Sequence, residues 1–360
     1  MKTMSDIAEV VNQNTSKLLA INAVVQVGNT KICIIKQIAE GAFGVVFLAQ
    51  SAPESTAESS STTSFALKQL ICQTKEQVQD AHHELEALQK CRGHPHIIPL
   101  LDHSSTSNHN HNNSSKYHRE VLMLFPLCPR GTVWDILMRA DAPVSDSTIP
   151  WPFDEKKLLY ITSCIAQALQ FMHEKGMSHR DVKPHNILLA DPSSLRLPPS
   201  FHHHQQQQEE ELYRSVGHPL LMDLGSVTST RWEVTSKAQA LDIEEEAASK
   251  TSAAYRAPEL TSVPYPTCSI DERVDTWALG CTLYCMAFGR SPFETPKEGV
   301  LRLAILNGRY QIPKGRKMRN CLYSEPLEAI LLQRMLQVDH QQRPFMGEIV
   351  NICDEIINKS

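Results

Sequence analysis

The sequence predicts an α+β chain in two parts, a small sheet-rich lobe followed by a larger helical one. Three observations lead there. Short runs with strand character crowd the chain up to about residue 130, and long runs with helical spacing crowd the remainder. Three segments of unusual composition interrupt this pattern and add nothing to it. At 360 residues, 41% of them hydrophobic, the chain can bury a sizeable core as one large domain or as two lobes around a cleft.

In order, residues 1–30 read as an N-terminal extension. Residues 31–36 (KICIIK), 45–49 and 64–69 read as strands separated by two turn-prone breaks. Residues 75–92 have helical spacing through Val78, Ala81, Leu85 and Leu88. Residues 96–101 and 120–127 read as further strands. The small lobe is therefore set at 31–127 and the large lobe at 128–355, with a short hinge near 125–131. Within the large lobe the helical patterns fall at 155–175, 272–288, 297–307 and 325–338. The interruptions lie at 51–64 (Ser/Thr-rich), 103–116 (Ser/Asn/His-rich) and 197–216, which holds HHHQQQQEEE. Such segments bury too little apolar surface to offset the entropy of ordering them, so flexible loops are expected. His202, His203 and His204 lack an ordered set of companion ligands, which favours low-complexity insertion over a metal site.

Bulk properties exclude several classes. A net charge of −5 and a pI of about 6.3 run against nucleic-acid binding. No apolar run reaches the roughly 18 residues of a membrane-spanning helix. The ten cysteines form no C-x-x-C pair, which fits reduced thiols in the cytoplasm. Cys281 and Cys285 fall on one helical face as small buried thiols.

Several stretches carry chemistry. In Ile38-Ala39-Glu40-Gly41-Ala42-Phe43-Gly44-Val45-Val46, two glycines lie between apolar flanks. Glycine lets a backbone approach a phosphate closely, although a plain hairpin turn explains the pattern equally well. In Phe65-Ala66-Leu67-Lys68, Ala66 and Lys68 share one strand face, leaving room for a flat base beside a charge for its phosphates. Lys68 needs an acidic partner. Glu84 on the following helix shares a stripe with Leu88, whereas the rival Glu86 turns away from it. The strongest stretch is Met177-Ser178-His179-Arg180-Asp181-Val182-Lys183-Pro184-His185-Asn186-Ile187-Leu188-Leu189. Asp181 can accept a hydroxyl proton, Lys183 can steady a phosphoryl group in transfer, and Asn186 can hold a metal ion through its amide oxygen. Downstream, Asp223 follows an apolar run and precedes Leu224-Gly225-Ser226, a placement that can present a carboxylate to Mg²⁺.

At this point the sequence resembles the eukaryotic protein kinases, with a bilobal kinase-like fold as the implication. The order matches over about residues 31–355: Gly41/Gly44, Lys68, Glu84, His179 to Asn186, Asp223 to Gly225, Ala257-Pro258-Glu259, Asp275 to Gly280 and Arg343. A nearer likeness lies in Asp223-Leu224-Gly225-Ser226, Gly93-His94-Pro95-His96-Ile97, Arg130-Gly131-Thr132-Val133-Trp134, Tyr255-Arg256-Ala257-Pro258-Glu259-Leu260 and Ile270-Asp271-Glu272-Arg273. These are similar to the Numb-associated kinase family and, within it, to the myristoylated and palmitoylated serine/threonine kinase subgroup.

The resemblance implies a serine/threonine protein kinase that moves the ATP γ-phosphoryl group to protein Ser/Thr hydroxyls, its own included, with ATP and Mg²⁺ as cofactors. It implies Asp181 as base, Lys183 as the mark of Ser/Thr specificity, and Asn186 and Asp223 as Mg²⁺ ligands. ATP contacts would come from the loop of Ala39, Gly41 and Gly44 and from Lys68 paired with Glu84. Val46, Ala66 and Leu188 would flank the adenine ring, with Phe125 as gatekeeper. The Pro126 carbonyl and the Cys128 N–H would bond the adenine edge. Glu259 and Arg343 would form a buried structural ion pair. Ser252 stands where such kinases place a threonine that contacts the base, and its hydroxyl can make the same bond.

Three features depart from the family. Ala39 replaces the first loop glycine. Asp181 and Asp223 stand 42 positions apart, about twice the usual spacing, with the insertion between them looping out at small entropic cost. The start Met1-Lys2-Thr3 has lysine where myristoylation needs glycine, so the subgroup's anchor is not expected and cytoplasmic residence is. By family likeness the partners are protein substrates and proteins of membrane traffic, with peripheral association at Golgi or endosomal membranes. Two rival classes are a pseudokinase scaffold, which usually lacks the lysine, base or metal aspartate that this chain keeps, and a small-molecule kinase. Ala257-Pro258-Glu259 and the Asp275 to Gly280 helix favour a protein substrate over the latter. Arg180 meets an activation-segment phosphate in many kinases, and Thr228, Ser229, Thr230, Ser236, Ser249 and Thr251 are candidate acceptors. The acidic run 242–246 could tether that segment instead, although a solvated helix face is the plainer reading.

Overall fold

Period-two alternation of apolar residues builds the first part of the molecule. The computed structural model describes residues 18–41, 44–52, 62–107, 119–141, 151–191, 207–266, 268–313, 317–318, 321–322, 324, 327 and 332–359. It divides into two units, Met1–Gln89 with Pro99–Leu127, and Lys90–Ile98 with Cys128–Ser360. His202 to His204, and residues 325, 326 and 328–331 of the helix expected at 325–338, lie outside the described residues; the described part of that stretch is helical at Gln333–Met335.

In the first unit, β1 (Val24–Val27), β2 (Thr30–Gly41), β3 (Gly44–Ser51), β4 (Ser64–Cys72), β5 (Asp102–Ser107) and β6 (Arg119–Pro126) form one antiparallel sheet of order β1-β2-β3-β4-β6-β5. Successive side chains point to opposite faces. One face buries Ile32, Ile34, Val45, Phe47, Ala49, Leu67, Leu122 and Leu124 in a single cluster with Val27. Each large side chain so buried contributes about 1.5–3 kcal/mol. Helix α1 (Lys75–Lys90) turns Val78, Ala81, Glu84, Leu85, Ala87 and Leu88 inward. Its start is fixed by a reciprocal cap. The Thr74 hydroxyl accepts from the Gln77 N–H at 3.2 Å, and the Gln77 side chain accepts from the Thr74 N–H at 3.2 Å.

Composition misled at the interruptions. Residues 103–107, expected to be loop, belong to β5, an edge strand paired with β6 from Asp102 opposite Leu124 to Ser107 opposite Arg119. An edge strand is held by its backbone ladder and gains from polar side chains, so the absence of apolar residues there carried no information about order. Ser51 and Ser64, at the ends of the first interruption, likewise belong to β3 and β4. Residues 207–216 of the third form a helix, in which Tyr213 and Val216 are buried. Conversely, residues 96–101 form no strand. Ile97 makes a single parallel bridge to Leu221, and the Ile98 N–H donates to the Leu221 carbonyl at 2.9 Å.

The second unit is mainly helical. Its elements run α2 (Val133–Asp141), α3 (Glu155–Glu174), β7 (Met177–Ser178), β8 (Ile187–Ala190), α4 (Gln207–Val216), β9 (His218–Leu221), β10 (Thr228–Ser229), β11 (Trp232–Val234), α5 (Lys237–Lys250), α6 (Pro258–Thr261), β12 (Cys268–Ile270), α7 (Arg273–Phe288), α8 (Arg302–Leu306) and α9 (Met346–Lys359). Asp154 caps α3 by accepting from the Lys157 N–H at 2.9 Å. Helix α7 is buried on every side from Val274 to Phe288, as a helix apolar around its circumference must be. It ends at Gly289, whose φ of 80° suits glycine and whose N–H reaches the Cys285 carbonyl at 2.7 Å. Strands β8 and β9 pair antiparallel, as do β7 and β10, and these pairs bracket the loop that carries Asp181. The helix expected at 297–307 shortens to α8, because Gly299, at φ 67°, sits in a two-residue strand paired with Glu294–Thr295. No described helix is long and apolar enough to cross a membrane. Cys281 and Cys285 are both buried, and burial pushes both thiols up.

Candidate active site

In the first unit, strand register collects the predicted ATP-contacting residues on the sheet face opposite the core cluster. Ala39 stands opposite Val46, Val46 opposite Lys68, and Ala66 opposite Phe125, so their side chains share one face. Pro126 follows at the end of β6, opposite Phe65. Lys68 meets Glu84 from this face, with Nζ 2.6 Å from one carboxylate oxygen and 2.9 Å from the other. Helical phase selects Glu84, which is buried, over Glu86, which is exposed. Gly41 and Gly44 form the last pair of the β2–β3 hairpin. A Cβ on Gly44 would lie 2.4 Å from the Gln69 carbonyl oxygen, whereas one on Gly41 would meet nothing nearer than 3.9 Å among the described residues. The approach of β3 to β4 thus requires glycine at 44 independently of any phosphate.

In the second unit the Asp181 carboxylate is gripped from two sides. Its Oδ2 accepts from Lys183 Nζ at 2.6 Å and from Asn186 Nδ2 at 3.1 Å, and its Oδ1 accepts from the Ser252 N–H at 2.8 Å. Lys183 Nζ also donates to the Ser252 hydroxyl at 2.7 Å. Two residues from the same loop and one from a segment 71 positions later therefore converge on a single carboxylate.

Beneath the loop lies Asp275 on α7, fully buried, which accepts from the His179 N–H at 2.8 Å, the Arg180 N–H at 2.7 Å and His173 Nε2 at 2.8 Å. Burial pushes its carboxyl up, and the His173 bond and the nearby charges and N–H groups outweigh that, holding it below the usual carboxylate range. These bonds stabilise Arg180 at a φ of 67°, a left-handed conformation that a non-glycine residue keeps only when its surroundings impose it. His179 donates from Nε2 to the Met222 carbonyl at 3.1 Å and accepts the Asp181 N–H on Nδ1 at 3.3 Å.

The fit of the site to Mg²⁺ follows from the atoms presented. Asn186 commits its Nδ2 to the Asp181 carbonyl at 2.8 Å and to the Asp181 carboxylate, which leaves its amide oxygen as the atom to offer a cation. The Met222 N–H bonds the Asn186 carbonyl at 2.9 Å and brings the next residue, Asp223, beside the loop. Asp223 is exposed and has a left-handed φ of 63°, while Leu224 behind it is buried. An amide oxygen and a carboxylate are the hard donors that Mg²⁺ takes, so the residues fit the ion.

The remaining predicted residues also have definite places. Cys128 lies after the last strand of the sheet, its thiol pushed up to about 12 by burial and by Asp191. Leu188 makes an isolated bridge with Thr132. Glu259 and Arg343 form a bidentate pair at 2.7 and 2.8 Å, almost wholly buried. Sequence reasoning placed Asp275 in a motif but missed its grip on the loop backbone, and it missed His173 altogether. The signal for Asp275 was a carboxylate inside an otherwise apolar helix. His173 gave none.

Comparison with known proteins identifies the family of the chain. Residues 33–352 match the family described as Protein kinase domain. The chain is 30% identical to a probable serine/threonine-protein kinase of Dictyostelium discoideum over 92% of its own length and 95% of the relative's. It is 31% identical to serine/threonine-protein kinase 16 of Mus musculus over 90% of each chain. It is 27% identical to the serine/threonine-protein kinase ppk13 of Schizosaccharomyces pombe over 94% of each.

Proposed function

Because the chain belongs to the protein kinase family and is a serine/threonine protein kinase like its relatives, we propose that Asp181 is its catalytic base and that Lys183, Ser252, Asn186 and Asp223 complete the transfer site. The observation that carries this reading is the Asp181 carboxylate, whose two oxygens are held by Lys183, Asn186 and Ser252 at 2.6–3.1 Å. A carboxylate so fixed stays aimed while a substrate hydroxyl enters, and positioning of this kind supplies most of the catalysis in phosphoryl transfer.

The hydroxyl oxygen of a substrate Ser or Thr attacks the γ-phosphorus of ATP, and its proton passes to Asp181. The bond from the γ-phosphorus to the β,γ-bridging oxygen breaks, and ADP leaves with that electron pair. The proton on Asp181 then returns to solvent. Lys183, shared between Asp181 and Ser252, neutralises charge that develops on the transferring group. Asn186 and Asp223 would hold Mg²⁺, which when bound neutralises phosphate charge. Lys68, fixed by Glu84, would contact the α- and β-phosphates. Ala39, Gly41, Gly44, Val46, Ala66, Phe125 and the Pro126 carbonyl are the ATP contacts we assign in the first unit, and the Cys128 N–H and Leu188 those in the second.

The Leu224 variant of the Asp223 motif and the stretches around His96, Arg130 and Tyr255 support a finer placement among Numb-associated kinases. That placement brings cytoplasmic partners in membrane traffic with it as part of the proposal. The test of the catalytic reading is phosphate transfer from labelled ATP and Mg²⁺ to a generic protein acceptor, with phosphoamino-acid analysis. Wild type should label Ser and Thr, its own included. Asp181→Asn should keep its melting temperature and lose about a hundredfold or more in kcat. Undiminished transfer in Asp181→Asn would overturn the assignment.

A further inference from the structure

Arg180 is a buried cation with too few partners. Its side chain is 3% exposed. Nη1 lies 3.4 Å from Glu246 Oε2 and 3.5 Å from the Thr228 hydroxyl, while Nε and Nη2 meet no hydrogen-bond partner among the described residues. The guanidinium stacks over the Trp232 ring at 4.3 Å. A guanidinium taken out of water needs an anion beside it. Asp275 contributes charge but has committed its oxygens to the His179 and Arg180 N–H groups and to His173. Arg256 adds repulsion. Among the described residues, that leaves Glu246 as the carboxylate that contacts the guanidinium itself.

The helix that carries Glu246 is itself tied to its surroundings. Helix α5 begins at Ser236, whose hydroxyl accepts the Gln239 N–H at 3.1 Å. The Glu244 carboxylate accepts the Val263 N–H at 2.7 Å, and the Ser226 hydroxyl donates to the Lys250 carbonyl at 2.5 Å. The helix runs out at Thr251, and the next N–H, from Ser252, is the one that reaches Asp181. One helix thus touches Arg180 through Glu246 and leads directly into the Ser252 N–H that reaches Asp181.

We propose that Glu246 is a positioning residue for phosphoryl transfer, the built-in counter-ion of Arg180 that holds the Asp181 loop and the Ser252 segment in register. It takes the place of the phosphate that many kinases set against this arginine, so the segment from Asp223 to Glu259 needs no phosphorylation to be active. The proposal rests on the reading of Asp181 as base.

The test uses the full chain, phosphatase-treated and shown by intact mass to carry no phosphate, with kcat and KM taken from initial rates. Phosphate-free wild type should keep its kcat within about twofold of untreated enzyme. Glu246→Gln should lower kcat by about tenfold to a hundredfold and leave the KM for ATP nearly unchanged, as expected when a reacting group is misplaced rather than a ligand lost. Glu246→Asp, which keeps the charge, should recover part of that loss. The double variant Arg180→Ala/Glu246→Gln should be no slower than Arg180→Ala alone, since the two residues act as one unit. Wild type that loses its activity with its phosphate and regains it on autophosphorylation would overturn the proposal. So would Glu246→Gln, or Glu246→Ala should the first variant fail to fold, if it matched wild type while Arg180→Ala was slow. A wild type with no transfer at all would sink the catalytic assignment instead, which separates the two failures.

Discussion

Replacing Arg343 with alanine should be among the most damaging single changes in the second unit, and the structure allows its size to be worked out. The guanidinium makes five hydrogen bonds. Two run to the Glu259 carboxylate at 2.7 and 2.8 Å, and one each to the carbonyls of Gln337 at 2.7 Å, Arg273 at 3.0 Å and Val338 at 3.1 Å. It also lies 5.1 Å from the centre of the Trp277 ring. Alanine would leave Glu259 as an uncompensated buried charge, which costs about 3–5 kcal/mol. Three carbonyls would lose a donor, at roughly 1 kcal/mol each where water can enter the space left behind. A total of more than about 5 kcal/mol follows, set against the roughly 5–15 kcal/mol that holds a domain folded. At about 2 °C per kcal/mol for a domain of this size, the melting midpoint should fall by about 10 °C or more. Differential scanning calorimetry reads this directly. Glu259→Leu/Arg343→Met, which removes both charges and keeps the volume, should recover most of the loss, because the penalty belongs to the widowed charge rather than to the pair. A fall of less than about 3 °C for Arg343→Ala would show that the ion pair is not buried as described.

Other perturbations test other links. Glu84→Gln keeps the shape of the Lys68 partner and removes its charge. The change from a charge-assisted to a neutral hydrogen bond should lower kcat/KM for ATP by about tenfold, with Glu86→Gln unchanged; equal effects in both would sink the pairing. Gly44→Ala should destabilise the β3–β4 pairing by about 1–3 kcal/mol through its clash with the Gln69 carbonyl, read as a lowered melting midpoint, while Gly41→Ala should leave that midpoint in place. Burial lowers the pKa of His94 to about 4 and of His96 to about 3 from an ordinary 6.5, so the folded state refuses protons that the unfolded chain accepts. Their contribution is therefore fully present above pH 6.5 and is lost as the pH falls from there toward about 4 for His94 and about 3 for His96. Melting midpoints measured from about pH 7.5 down to about pH 4.5 should fall less steeply in His96→Asn than in wild type, and parallel curves would refute the linkage.

Chemistry that needs one residue type at short, fixed spacing was legible in the sequence. Asp181, Lys183 and Asn186 lie within six residues of one another, so a single loop conformation brings them together and no distant partner has to be guessed. Glu84 was legible because helical phase alone separates it from Glu86. The fold class was legible because period-two and period-3.6 patterns barely overlap along the chain. What escaped depends on other information. Strand β5 is written in the backbone hydrogen bonds of an edge, where side-chain composition says little. Asp275 reaches the Arg180 N–H across 95 positions, and nothing in the local sequence of either residue announces the other. Residues 207–216 were taken with their polar neighbours, although Tyr213 and Val216 anchor a helix.

The acidic run 242–246 shows where such reading reaches its limit. As a string of charges it is a solvated helix face, and for Asp242 and Glu245, both exposed, that is what it is. The helix that carries it buries Ala240, Ile243 and Ala247 along one stripe. This phase turns the two remaining acids, Glu244 and Glu246, to the flanks of the stripe, where each finds a partner from outside the helix. Glu244 takes the Val263 N–H and Glu246 takes Arg180. The same four-residue spacing that hides Ile243 and Ala247 from water therefore decides which carboxylates are spent on solubility and which on the site. Sequence periodicity could have sorted the four acids into those two groups. It could not have named Arg180 as the cation waiting beside one of them, because that cation is buried by the left-handed turn that Asp275 imposes on its backbone.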